Sequence, residues 1–321
     1  MNKIKQYLSY CIALTFIILA IYYYLKNPHA LEMMMDLKLS YTTLLLVIQL
    51  LITVLAAYLQ NIFIRHFNVN LNSKEWMGLY LVNSFLNLYI PAQGATILKA
   101  LYLKKKHGLV YTEFLVLFSG ILFLSLYAGL LSYCVIYFFI VFPVNPILRN
   151  IFYVALVYVT LLSLIGLFPE FLSNFIVKNS KFEKINLLIR SLEQILFHKK
   201  LLLYSLAINF SIVFCYTIQF WVAFKALDYH FSFWQCMIIA IVPNLTLFIM
   251  ITPGNIGLRE SLIVMTCHII GIDVELSLAS SIIIRCVSLF IQLLSGPMGY
   301  LLLSKEPQSS AKPYKKFKEK E

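Results

Sequence analysis

The sequence predicts an all-α, polytopic integral membrane protein: a helical bundle of about six full spans plus two re-entrant hairpins. Three observations carry that prediction. Hydrophobic residues make up 61% of the chain and charged residues 12%, against about 45–50% and about 25% in soluble domains. Mean hydropathy is +0.83 over 321 residues, which leaves too little polar surface to face water. Charge-free apolar runs also recur at the length a bilayer needs, about 20 residues at 1.5 Å rise through a core of about 30 Å.

The first run, 7–25, has a basic start but ends in Tyr22-Tyr23-Tyr24-Leu25-Lys26 instead of small residues. It therefore reads as an uncleaved helix and not as a signal peptide. Further spans are 39–64, 114–148, 150–169, 201–224 and 286–304, the last extending back through Arg285 to about 277. Two apolar stretches are interrupted. One leaves Trp76, breaks at Pro91-Ala92-Gln93-Gly94 and returns to Lys104-Lys105-Lys106; the other leaves Trp234, breaks at Pro253-Gly254-Asn255 and continues from Gly257 to Ile270. Their shorter arms fall below the thickness of the hydrocarbon core, so each predicts a hairpin that dips in and returns. Within 182–198, Ile185, Leu188, Ile189, Leu192, Ile195 and Leu196 recur at helical spacing among basic residues, predicting an amphipathic helix on the inner leaflet. Residues 305–321 read as a basic, disordered cytoplasmic tail.

Lys and Arg set the sidedness. With the N-terminus inside, the cytoplasmic pieces 1–6, 65–75, 99–113, 170–200 and 305–321 together carry +12, and the external pieces carry −1. Both termini are thus expected in the cytoplasm, and the net charge of +12 is a topology signal instead of a nucleic-acid one. Residues 1–304 form one transmembrane domain whose halves, about 1–148 and 149–304, each read span, span, hairpin, span, facing opposite ways. Helices broken at matching places in two inverted halves predict a substrate site near the midplane.

Ionisable groups inside a membrane are functional candidates. The richest cluster is Thr252-Pro253-Gly254-Asn255-Ile256-Gly257-Leu258-Arg259-Glu260. Pro253, Gly254 and Gly257 open the helix, and the half-helix that follows begins with N–H groups expected to be free for an anion. Arg259 offers a planar fork for phosphate. Glu260 beside it balances that charge or relays a proton, or the two simply pair to hold the hairpin. In the first hairpin Asn83, Asn87 and Pro91 share one helical face before Gly94, and Lys99 follows the break. In the last span Ser281, Arg285, Ser288 and Gln292 form a polar stripe, with Arg285 either pairing with Glu260 or binding substrate. Cys11, Cys134, Cys215, Cys236, Cys267 and Cys286 lie in apolar runs without C-x-x-C spacing, and the six histidines are scattered. No cofactor, metal or catalytic constellation is expected, and no nucleotide-binding motif occurs.

Asn87-Leu88-Tyr89-Ile90-Pro91-Ala92-Gln93-Gly94, the run from Lys99 to Gly108, and Pro253 through Glu260 resemble the flippase-like transmembrane family. Its best-known region is the membrane half of lysylphosphatidylglycerol synthase. The resemblance implies an arginine in the last helix at the place of Arg285, and residence in the plasma (inner) membrane of a prokaryote. Bifunctional members add a soluble aminoacyl-transferase domain after the membrane half. Here 305–321 follows, so the expectation is a stand-alone member that transfers no lysine. The implied activity is movement of an anionic phospholipid or a polyprenyl-phosphate-linked intermediate between leaflets, by a protein that is not an enzyme. The expected partners are membrane lipids with phosphate headgroups, without nucleic acid. Two alternatives stand beside it: a non-catalytic membrane partner of envelope or surface-polysaccharide biosynthesis proteins, and a transferase acting on lipid phosphate.

Overall fold

A computed structural model describes Leu14 and residues 38–90, 94–139, 146–167, 198–247 and 252–304, and every regular element among them is helical. In chain order these are α1 (Leu39–His66), α2 (Ser73–Leu86), α3 (Gly94–His107), α4 (Tyr111–Phe139), α5 (Pro146–Leu167), α6 (Lys199–Ala226), α7 (Phe233–Ile239) and α8 (Val242–Thr246). A 3-10 turn at Pro253–Asn255, α9 (Leu258–Ile269) and α10 (Val274–Ser304) follow.

Helices α1, α6 and α10 match three of the expected spans and are long and apolar enough to cross a membrane, as is Tyr111–Tyr137 of α4. Helix α5 occupies the expected 150–169 span, with Arg149–Leu161 as a shorter apolar stretch. The run at 7–25 (apart from Leu14), the break at 91–93, the amphipathic 182–198 stretch short of His198 and the 305–321 tail lie outside the described residues.

The core forms where α1 meets α6 and α2 meets α10. Phe63, Phe220 and Phe224 are fully buried there, and Gln219 Nε2 donates to Gln49 Oε1 across the α1–α6 interface at 3.0 Å. Lipid is as apolar as leucine, so helix pairs inside it depend on close contact and on such polar links. The α2–α10 pair shows the contact: a Cβ on Gly299 would fall 2.9 Å from the Gly78 carbonyl oxygen and 2.8 Å from Val82 Cγ2. Only glycine lets the backbones approach that far.

Two segments, 39–75 and 199–235, repeat each other in conformation. Helices α1 and α6 both run 28 residues. Asn68 and Asp228 then take φ of 58° and 55°. Asn72 and Ser232 next cap α2 and α7 by accepting the N–H of Glu75 and Gln235. Each equivalent pair is separated by the same 160 positions, from Leu39 and Lys199 to Asn72 and Ser232. Asn and Asp tolerate the left-handed region better than other side chains, so each helix ends in the same reversal by related chemistry.

The short helices expected as hairpin arms differ in one respect from the sequence reading. Helices α2 and α3 are 14 residues each, about 21 Å long, as expected of short arms. The outgoing arm of the second hairpin, expected as one helix from Trp234 to Thr252, is instead broken at Ala240–Ile241 into α7 and α8. Pro243 has no N–H to donate and its ring clashes with the preceding turn. The chain tightens here into i→i+3 bonds, Ile241 N to Ile238 O and Asn244 N to Ile241 O.

The base of the first hairpin is latched. Glu75 Oε1 accepts from Tyr102 Oη at 2.8 Å, pairs with Lys106 Nζ at 2.9 Å and lies 2.8 Å from His107 Nε2. Burial pushes this carboxyl up, but the bonds from His107, Lys106 and Tyr102 outweigh it and hold the group down at about 2. A carboxylate held below its ordinary value stabilises the fold above about pH 4.5, and that contribution is lost as pH falls toward 2. Glu75→Gln is therefore expected to cost about 2 kcal/mol at pH 7. In thermal unfolding at stepped pH, the gap from the parent should close between pH 4.5 and 2. A gap that stayed constant across that window would remove the latch from the account.

Candidate functional site

Between the helices that flank the two breaks lies a cavity of about 260 Å³, walled by α1, α2, α3, α4, α6, α8, α9 and α10. Its polar wall includes Gln49, Gln60, Asn83, Asn87, Arg259 and Arg285, and no acidic side chain among the described residues lines it. In an apolar bundle such a concentration of polar groups around a space marks a place for a polar guest.

The Pro253–Asn255 turn forms the floor. Gly254 has φ +58°, and a Cβ there would meet Arg285 Nη2 at 3.1 Å and Leu88 Cδ2 at 3.3 Å. Glycine is required on both counts. The turn is clamped from two sides: Gly254 N donates to Asn87 O at 2.8 Å, and Arg285 Nη2 donates to Gly254 O at 2.7 Å. The second break thus meets the end of the outgoing arm of the first hairpin. Asn255 Nδ2 adds a bond to Thr246 O at 2.9 Å, and Thr252 Oγ1 one to Ile256 O at 2.8 Å.

These bonds correct one expectation. The N–H groups from Gly254 to Gly257 are not free for an anion. Gly254 N serves Asn87 O, Asn255 N serves Thr252 O, Ile256 N serves Pro253 O, and Gly257 N serves Glu260 Oε2 at 2.7 Å. A turn buried in apolar surroundings must satisfy its own amides, so these four are not left to meet a ligand.

Glu260 and Arg259 separate. Glu260 caps α9 through Gly257 N, and its Oε1 lies 3.6 Å from Arg285 Nε. Arg285, 9% exposed, thus faces Glu260 and also lines the cavity, so the contact supports the pairing reading without removing it from the wall. Arg259 turns instead to the cavity, its guanidinium carbon 5.6 Å from the centroid of the Tyr216 ring. Its Nη2 is buried and makes no hydrogen bond, as are Asn83 Oδ1 and Asn87 Oδ1 in the same wall.

The remaining candidates lie further back. Lys99 is buried and donates to Gln60 Oε1, so it reaches the cavity only through Gln60. Gly94 opens α3 against Ile90, and Gly257 and Pro253 shape the turn without lining the space. Pro91 lies outside the described residues. Sequence reasoning passed over Gln49, Gln60, Asn209, Tyr216 and Asn244, which line the cavity. Their signal was available for the amides: Gln49 and Asn209 are polar residues inside charge-free runs, and Asn209 accepts from Ser125 Oγ at 2.8 Å. Among the described residues no group of three or more His, Cys, Asp or Glu is placed to hold a metal.

The family model for the lysylphosphatidylglycerol synthase TM region matches residues 9–296. The chain belongs to that family. The match takes in both hairpins, the cavity and all ten candidate site residues, and agrees with the resemblance drawn from the two break motifs. The lysylphosphatidylglycerol synthase TM region is a membrane domain with a lipid-related setting, in keeping with the helices long and apolar enough to cross a bilayer. No curated protein and no solved structure matches the chain.

Proposed function

We propose that this protein moves a phosphate-bearing, anionic lipid between the leaflets of a prokaryotic plasma membrane, making and breaking no covalent bond. The observation that carries the reading is Arg259: a guanidinium facing a polar cavity, with a buried Nη2 that makes no hydrogen bond and no carboxylate in the wall. A phosphate headgroup satisfies a guanidinium fork with two oxygens. Asn83 and Asn87 complete the cradle from the facing arm, since an amide can present either its oxygen or its nitrogen.

In this proposal both termini are cytoplasmic, following the +12 against −1 charge split. The hairpins enter from opposite faces and their breaks meet at the cavity, supported by the Gly254–Asn87 bond. The headgroup crosses through the polar interior while the chains stay in lipid. Arg285 and Glu260 are the frame that holds the floor, and Arg259 is the group that meets substrate.

The test is leaflet-resolved lipid movement in vesicles holding the purified protein and either labelled phosphatidylglycerol or a short polyprenyl phosphate. Movement of at least one of them well above that in empty vesicles is the expected result. Rates equal to empty vesicles for both would hand the chain to the other reading, a membrane partner of envelope-assembly proteins.

A further inference from the structure

We infer that the cavity is built for a lipid phosphate carrying two negative charges, a phosphate monoester or a diphosphate, in preference to a phosphodiester carrying one. This rests on the translocation reading for the site and adds the charge of its guest.

Four charged side chains stand in or directly behind the cavity wall: Lys99, Arg259, Glu260 and Arg285. Glu260 and Arg285 face each other at 3.6 Å and cancel. Among the described residues neither Arg259 nor Lys99 has a carboxylate partner. Arg259 has the Tyr216 ring beside it, and Lys99, 7% exposed, donates to the neutral oxygen of Gln60. Buried charge is costly unless it is paired, and two unpaired cations beside one cavity match two negative charges on its guest. A phosphodiester supplies one. A monoester supplies nearly two above its second pKa of about 6.

The conformational repeat makes the pairing of these two cations more than coincidence. Lys99 follows Gly94 by five residues and Arg259 follows Gly254 by five, and the two pairs share the 160-residue offset that relates α1 to α6. Each half therefore carries one cation at the corresponding position after its break. Arg259 meets the guest directly. Lys99 stands one side chain back, on Gln60, which itself lines the wall. Rotation of the Gln60 amide lets the ammonium reach a second phosphate charge.

Equilibrium binding tests this apart from movement. At pH 7, purified protein in detergent is titrated with dihexanoyl phosphatidic acid and with dihexanoyl phosphatidylmethanol. Their chains are the same, and one methyl group removes one charge. Inorganic phosphate is the third probe. The expected result is that phosphatidic acid binds roughly tenfold or more tighter than phosphatidylmethanol and far tighter than inorganic phosphate. Lys99→Met should shrink the ratio to near unity, and Lys99→Arg should keep it. Equal affinities for the two lipids in the parent protein overturn the inference, whether or not Lys99→Met folds. So does inorganic phosphate binding as tightly as phosphatidic acid, or a preference that survives Lys99→Met. A two-charge preference without lipid movement would uphold this inference and sink translocation; movement with equal affinities would do the reverse.

Discussion

Arg259→Ala is expected to abolish lipid movement and to weaken headgroup binding by at least roughly thirtyfold, with the protein still folded and inserted. Truncating one partner of a buried charge pair costs about 2–5 kcal/mol, and every 1.4 kcal/mol is about tenfold in affinity. Folding should survive because the Arg259 guanidinium packs beside the Tyr216 ring at 5.6 Å, makes no ion pair among the described residues and keeps a nitrogen without a partner. The side chain holds no helix to another. Arg259→Lys keeps the charge and loses the fork, so intermediate binding and slow movement are expected. Size-exclusion and thermal unfolding report the fold; calorimetry and the vesicle assay report the site. An Arg259→Ala protein that binds and moves lipid like its parent would remove the residue from the site.

That division of labour between Arg259 and its neighbour was not legible in the sequence. Adjacent opposite charges invite the reading that Arg259 and Glu260 pair. On a helix, however, residues one apart do not face each other, while those three apart do. Glu260 sits three residues after Gly257 and turns back to its N–H, which also brings it to Arg285 on another helix. Arg259, rotated away, is left to the cavity. Helical geometry disperses what the sequence places side by side.

The spans were legible for a simple reason. Charge-free runs bounded by cations fix both where a helix crosses and where it stops, so 39–64 and 201–224 reappear as Leu39–His66 and Lys199–Ala226. The break at Ala240–Ile241 was not, because Pro243 lies within a charge-free apolar run in which Pro253-Gly254-Asn255 is the stronger break signal. The repeat was visible only as an order of elements. What the halves share is conformation, carried by different residues: Asn68 and Asp228 at positive φ, Asn72 and Ser232 as caps. A comparison of residue identities has little to find there.

Arg285→Met is expected to be the most destabilising single change at the site, at about 3–5 kcal/mol, because it leaves the largely buried Glu260 with the Gly257 N–H but without its opposite charge. It also removes the donor that holds the Gly254 carbonyl at 2.7 Å, and so loosens the turn beneath the cavity. Glu260→Gln alone should cost less. Glutamine still offers an oxygen to Gly257 N, and Arg285 keeps its bond to Gly254. The informative protein is the double variant Arg285→Met, Glu260→Gln, which carries no unpaired charge at this pair. If the 3.6 Å contact is a working ion pair, the double variant should unfold at a higher temperature than Arg285→Met alone. The resulting interaction energy should fall within the range of about 0.5–3 kcal/mol seen for residues in contact. Headgroup binding through Arg259 should persist in every variant that folds, since neither partner of the pair is the group proposed to meet the ligand. Two results would count against the scheme. One is an Arg285→Met protein as stable as its parent, which would mean that Glu260 finds its compensation elsewhere. The other is a double variant no more stable than Arg285→Met, which would place the whole effect in the Gly254 clamp and none in the charge pair.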